Sequence, residues 1–146
     1  MRAIPLFILA AVVSPLAAQA RKEIVRLPGA TSTTPLSTAV RVGDVLYLSG
    51  QLGTVPDQGL APGGIEAEAR QALDNIKRVL ETAGSGMERV VKCTVFLADI
   101  ADFRAMNEVY RTYFPTDPPA RSTVAVAGLV LNARIEIECL ALAGKG

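Results

Sequence analysis

The chain has 146 residues, half of them hydrophobic and 20% charged, enough for one packed domain and too apolar for global disorder. It contains no histidine, which excludes Ser-His-Asp and Cys-His catalysis and nearly every ordinary zinc site. With 15 Lys and Arg against 14 Asp and Glu, and no tryptophan, it lacks the basic surface and stacking platforms of a nucleic-acid binder.

Arg2 precedes the apolar run Ile4 to Val13, and Ala18-Gln19-Ala20 closes the stretch with small residues at signal-peptidase spacing. A basic start, an apolar middle and an A-x-A end describe a secretory leader over residues 1–20. The apolar run falls short of the roughly 20 residues that a membrane span needs. The mature protein is then residues 21–146, periplasmic or secreted, with no membrane attachment and a formal net charge of zero once Arg2 is lost.

Residues 21–35, rich in Thr, Pro and Gly, read as an entry segment. Residues 37–42 alternate as a strand should, Gly43-Asp44 makes a two-residue hairpin turn, and residues 45–50 return as a more buried strand. Residues 54–64 read as a loop. From Ile65 the period becomes helical: Ile65, Ala69, Ala72, Leu73, Ile76, Val79, Leu80 and Ala83 form an apolar stripe, with Glu66, Glu68, Arg70, Asp74, Lys77 and Arg78 between them. Gly84 stops this helix as a left-handed cap, and Ser85-Gly86-Met87-Glu88 resembles a capping box. Residues 90–97 are dense in β-branched side chains and read as a buried strand. Asp99 or Asp102 can cap a second helix, with Phe103, Met106, Val109, Tyr110 and Tyr113 on one face and prolines at 115, 118 and 119 ending it. Strands over residues 121–127 and 134–142 complete the chain.

The order β-β-α-β-α-β-β, with too few helices to cover both faces of a sheet, indicates an α+β layer. The other face is apolar enough to mark an oligomer interface. Cys93 and Cys139 each read as a small buried hydrophobe. An exported chain could pair them, but nothing local brings their Cα atoms within bonding range.

Few residues offer chemistry. Arg121, at the mouth of a strand, can grip a carboxylate with two prongs, or be a plain surface arginine. Glu136 and Glu138 share one face of the last strand, where burial would make one a general base; they equally suit a solvated face. Asn107 on the second helix can orient a ligand or cap a loop. Ser49-Gly50-Gln51 offers a hydroxyl and a backbone open to close approach.

In order and spacing, Ser49-Gly50-Gln51, residues 69–76 (ARQALDNI), residues 90–97 (VVKCTVFL), Asn107-Glu108-Val109-Tyr110, residues 119–123 (PARST) and Ile135-Glu136-Ile137-Glu138 together resemble the RidA/YjgF family. The resemblance spans essentially residues 34–142. It implies a chorismate-mutase-like α+β fold assembled as a homotrimer, with clefts between subunits. It further implies cofactor-independent and metal-independent hydrolysis of 2-imino or enamine acids to 2-keto acids and ammonia. By the same resemblance Arg121 binds the substrate carboxylate, Glu136 positions the attacking water, and Ser49, Asn107 and Thr123 line the pocket. One departure stands out: Thr34-Pro35-Leu36 replaces the family's usual Gly-Pro-Tyr, so Leu36 puts an aliphatic side chain at a substrate-binding position that usually carries a phenol. Thr38 likewise stands where glutamine is common. A cleft that only holds a small carboxylate, without turnover, is the alternative these departures leave open.

Overall fold

In a computed structural model, residues 21–29 and 35–144 are described; the leader read at 1–20 and Thr34 fall outside them. The chain runs through β1 (Lys22–Val25), β2 (Ala39–Val42), β3 (Val45–Leu48), β4 (Gln51–Leu52), β5 (Thr54–Val55) and β6 (Gly59–Leu60) into helix α1 (Ile65–Thr82). It continues with β7 (Val90–Leu97), helix α2 (Phe103–Tyr113), β8 (Ala120–Ala125) and β9 (Ile135–Leu142).

The main sheet has the order β1-β2-β3-β9-β7-β8, with β4 also paired to β9; only β7 and β8 are parallel. The last strand therefore inserts between β3 and β7 instead of pairing with the strand before it. Alternation places Ile135, Ile137, Cys139 and Ala141 of β9 opposite Leu97, Val95, Cys93 and Val90 of β7, all buried beneath the helices. Leu46, Leu73, Ile76, Leu80 and Met106, each 0% exposed, complete this core, and burying each such side chain contributes about 1.5–3 kcal/mol. Among the described residues the opposite face of the sheet carries no helix and exposes Val42, Tyr47, Val124 and Leu142. The α+β layer read from the sequence is thus the observed fold. Among the described residues no helix is long and apolar enough to cross a membrane.

The helix ends follow their sequence signals in part. Gly84, at φ 71°, lets the Ser85 amide reach the Leu80 carbonyl and the Gly84 amide reach that of Glu81, closing α1 in a Schellman turn. The capping box at 85–88 does not form: Gly86 occupies the cap of a short 3-10 turn, and the Ser85 hydroxyl donates to the Leu142 carbonyl instead (2.7 Å). Asp99 caps a 3-10 turn over Ile100–Asp102 by accepting from the Ala101 amide (2.9 Å). Asp102 makes no cap bond; its two oxygens take the Arg134 guanidinium side-on at 2.8 and 2.9 Å.

Three further expectations need correcting. The entry segment supplies an edge strand, β1, because Lys22–Val25 find an unpaired neighbour in β2. The loop at 54–64 contains the small β5/β6 hairpin. Cys93 and Cys139 form a disulfide, since the β7/β9 register sets them directly opposite one another with Cα atoms 4.1 Å apart.

Candidate active site

Strand parity decides where each candidate side chain lies. Arg121 and Thr123 of β8 sit opposite Cys93 and Val95 of β7, so both point to the helix side. Glu136 and Glu138 sit opposite Phe96 and Thr94, so they share a face as expected, and that face is the helix-free one. Within one chain, Arg121 and Glu136 therefore open onto opposite faces of the sheet. Each has gathered its own group of residues.

On the helix side, Phe103, Asn107 and Tyr110 of α2 and Phe114, the residue that caps its C-terminus, recur at steps of three or four and face the start of β8. The Arg121 guanidinium donates to Asn107 Oδ1 (2.6 Å) and lies over the Tyr110 ring, 4.4 Å from its centroid, with the Phe103 ring 5.8 Å away. The Tyr110 and Phe114 rings are tilted against each other at 4.7 Å. Asn107, Tyr110, Phe114, Pro118, Pro119 and Arg121 line a cleft of about 400 Å³, with Arg111 at its side. Burial holds the Tyr110 phenol protonated, pushing its pKa up to about 12 against the opposing pull of Arg121. Among the described residues Arg121 has no carboxylate partner. A half-buried cation steadied by a neutral amide and an aromatic face keeps its charge for something else.

On the open face, Ser49 and Gly50 form a β-bulge. Tyr47 pairs with Leu140 and Gln51 with Ile137, so three residues of this strand oppose two of β9. The bulge flips the facing of the strand, as such irregularities do beside functional sites. The Ser49 hydroxyl donates to the Ser37 carbonyl (2.6 Å), fixing the bulge to the segment that carries Leu36. Leu36 itself is 58% exposed. Gly50 lies against the Glu136 side chain so closely that a Cβ there would meet its Oε1. The absence of a side chain at position 50 is what lets the half-buried Glu136 carboxylate lie over the bulge.

Two buried polar residues hold this region and were not singled out from the sequence. Asn75 of α1 donates to the carbonyls of Leu52 (3.0 Å) and Thr54 (2.9 Å), tying β4 and β5 to the helix, while Gln71 donates to its Oδ1. Glu68, placed on the polar side of α1 by its charge, is only 5% exposed and accepts the Arg134 amide (2.8 Å). An asparagine within an apolar helical stripe was the available signal for the first; the second had none. For Tyr110 the signal was its position one turn from Asn107 on the same stripe.

Residues 28–143 match the model of the family described as Endoribonuclease L-PSP. The 2-iminobutanoate/2-iminopropanoate deaminase of Capra hircus is 50% identical over 111 residues, covering 75% of this chain and 81% of that protein. The crystal structure of YEO7_yeast superposes with a TM-score of 0.80 at 42% identity, covering 86% of this chain and all of that one. That of E. coli TdcF with bound serine gives 0.76 at 34% identity, covering 84% and 99%. By sequence and by fold, the chain belongs to the RidA/YjgF family.

Proposed function

We propose that the mature protein hydrolyses 2-imino acids, or their enamine tautomers, to 2-keto acids and ammonia. The observation that carries this reading is Arg121: a pre-positioned guanidinium at the mouth of a cleft, with no carboxylate among the described residues to neutralise it. Such a group suits a small organic acid. Support comes from the deaminase names of the relatives and from the serine, itself a small amino acid, held by TdcF.

In this reading Arg121 fixes the substrate carboxylate, and Asn107 and Thr123 stand beside it. The protonated imine is already electrophilic, so the remaining work is orientation and proton transfer. Water adds to C2 as the Glu136 carboxylate takes its proton, giving a carbinolamine. Glu136 returns that proton to nitrogen, the C–N bond breaks, ammonia leaves, and the hydroxyl proton is released as the ketone forms. Because Arg121 and Glu136 occupy opposite faces of one sheet, the reaction requires two copies, each contributing one of them. The exposed Tyr47, Val124 and Leu142 suit the sheet to such contacts, and the homotrimer implied by the family resemblance would repeat the pair three times. The buried Cys93–Cys139 disulfide favours an oxidising compartment, in keeping with export.

The test generates 2-iminobutanoate in situ and follows its decay with residues 21–146. Acceleration above buffer, reduced at least tenfold by Arg121→Ala and by Glu136→Gln, is expected. No acceleration, or an Arg121→Ala variant equal to the parent, overturns the proposal. The sidedness of the two residues also favours a second reading, a non-catalytic carboxylate-binding module, should the chain act as a single copy. Saturable 2-oxobutanoate binding, lost in Arg121→Ala and unaccompanied by turnover, would select it.

A further inference from the structure

The Tyr110 hydroxyl is a buried polar atom with no hydrogen-bond partner among the described residues. Its residue is only 5% exposed, and it lines the Arg121 cleft. Leaving a buried hydroxyl unpaired costs about 1–3 kcal/mol, a cost phenylalanine at the same position would avoid. The ring alone would serve the stacking: Phe103 already approaches the same guanidinium without any hydroxyl. Tyrosine at this position therefore indicates a partner that arrives from outside the chain.

The cleft indicates which partner. The guanidinium has one face on the Tyr110 ring and one nitrogen on Asn107 Oδ1, so an incoming group must use its remaining N–H donors. A carboxylate held there retains lone pairs for one more donor. The phenol remains protonated well beyond neutral pH, which makes it such a donor. Arg111, exposed at the side of the cleft and among the described residues paired with Glu108 alone (3.3 Å), adds positive potential at the entrance.

We infer that Tyr110 is a ligand-binding residue whose hydroxyl donates to the carboxylate that Arg121 grips. The inference rests on the carboxylate role proposed for Arg121 and adds a second, neutral contact to it. The contact belongs to the carboxylate and not to the reacting carbon, so it acts on affinity.

The experiment is calorimetric titration of residues 21–146 with 2-oxobutanoate and with butanoate, which keeps the carboxylate and lacks the 2-oxo group. The parent, Tyr110→Phe and Arg121→Ala are compared, and their thermal midpoints and oligomeric states recorded. Tyr110→Phe should weaken both ligands about tenfold, with an unchanged or higher midpoint and the same assembly. Equal affinity in Tyr110→Phe and the parent, with Arg121→Ala impaired, overturns the inference and leaves the Arg121 reading standing. A loss seen with 2-oxobutanoate alone overturns the carboxylate assignment. A lowered midpoint with a smaller assembly overturns it in favour of a hydroxyl paired by a second copy. Arg121→Ala binding as tightly as the parent overturns the Arg121 reading instead, and no binding to the parent overturns both.

Discussion

Reducing the Cys93–Cys139 bond should destabilise residues 21–146 by up to about 4 kcal/mol while leaving the fold intact. The cross-link joins residues 46 apart in sequence, and closing a loop of that length in the unfolded chain removes entropy equivalent to about 4 kcal/mol at 25 °C. The folded state depends on the bond far less. β7 and β9 remain joined along their ladder from Val90 to Leu97, and the two side chains sit in the core at 0% and 2% exposure. Urea unfolding at fixed protein concentration, followed by circular dichroism, measures the difference. Burial shields the bond, so the reductant is applied to the unfolded chain before refolding. With a slope of about 2 kcal/mol/M, the midpoint should fall by about 2 M. The double variant Cys93→Ala/Cys139→Ala should lie near the reduced protein and ignore reductant. Coincident oxidised and reduced curves, or two titratable thiols in unreduced denatured protein, would refute the reasoning.

Replacing Gly50 by Ala places a methyl group against the Glu136 carboxylate and should displace it, lowering kcat about tenfold or more with a smaller effect on the thermal midpoint; a full kcat would show that this carboxylate takes no part in the reaction. Asn75→Ala removes the donor to two backbone carbonyls and should cost about 1–3 kcal/mol in urea unfolding, with strand β4 the first region to exchange amide hydrogens. Stability should also fall as pH rises from 10 to 12. Burial, opposed by Arg121, raises the Tyr110 phenol from its ordinary 10 to about 12; burial and the hydrogen bond to Asp74 (2.7 Å) do the same for Tyr113. The unfolded chain then releases phenolic protons near pH 10 that the folded chain keeps, so the contribution is complete below 10 and lost by about 12. For Tyr110 the slope is at most about 1.4 kcal/mol per pH unit, and Tyr110→Phe should flatten the decline.

What could be read in the sequence was local. The three- and four-residue apolar steps from Ile65 define α1, Gly84 ends it, and Gly43-Asp44 turns β2 into β3, because each feature depends on residues within a few positions of one another. Local alternation even placed Glu136 and Glu138 on a common face. What it could not supply is which strands are neighbours. β9 enters between β3 and β7, bringing residues some 90 positions apart into register, and only that insertion sets Cys139 against Cys93. The same non-local register sends Arg121 to the helix side and Glu136 to the other. A shift of one residue in either pairing would reverse the outcome, since side chains alternate with a period of two.

That sensitivity gives the bulge at Ser49-Gly50 its consequence for where side chains lie. Tyr47 of β3 faces the open side with Leu140, yet Gln51, four residues on, faces the core with Ile137. Without the extra residue, the run from β3 into β4 would keep one alternation, and the residue beside Glu136 would differ. Gly50 provides the room at that point, so a strand irregularity and a missing side chain together set one carboxylate. Arg121 is set in a different way, by an aromatic ring and an amide one helical turn apart on α2. Because the two devices share no residue, Gly50→Ala should leave 2-oxobutanoate binding untouched while it slows the reaction, and Tyr110→Phe should weaken binding while Glu136 keeps its place.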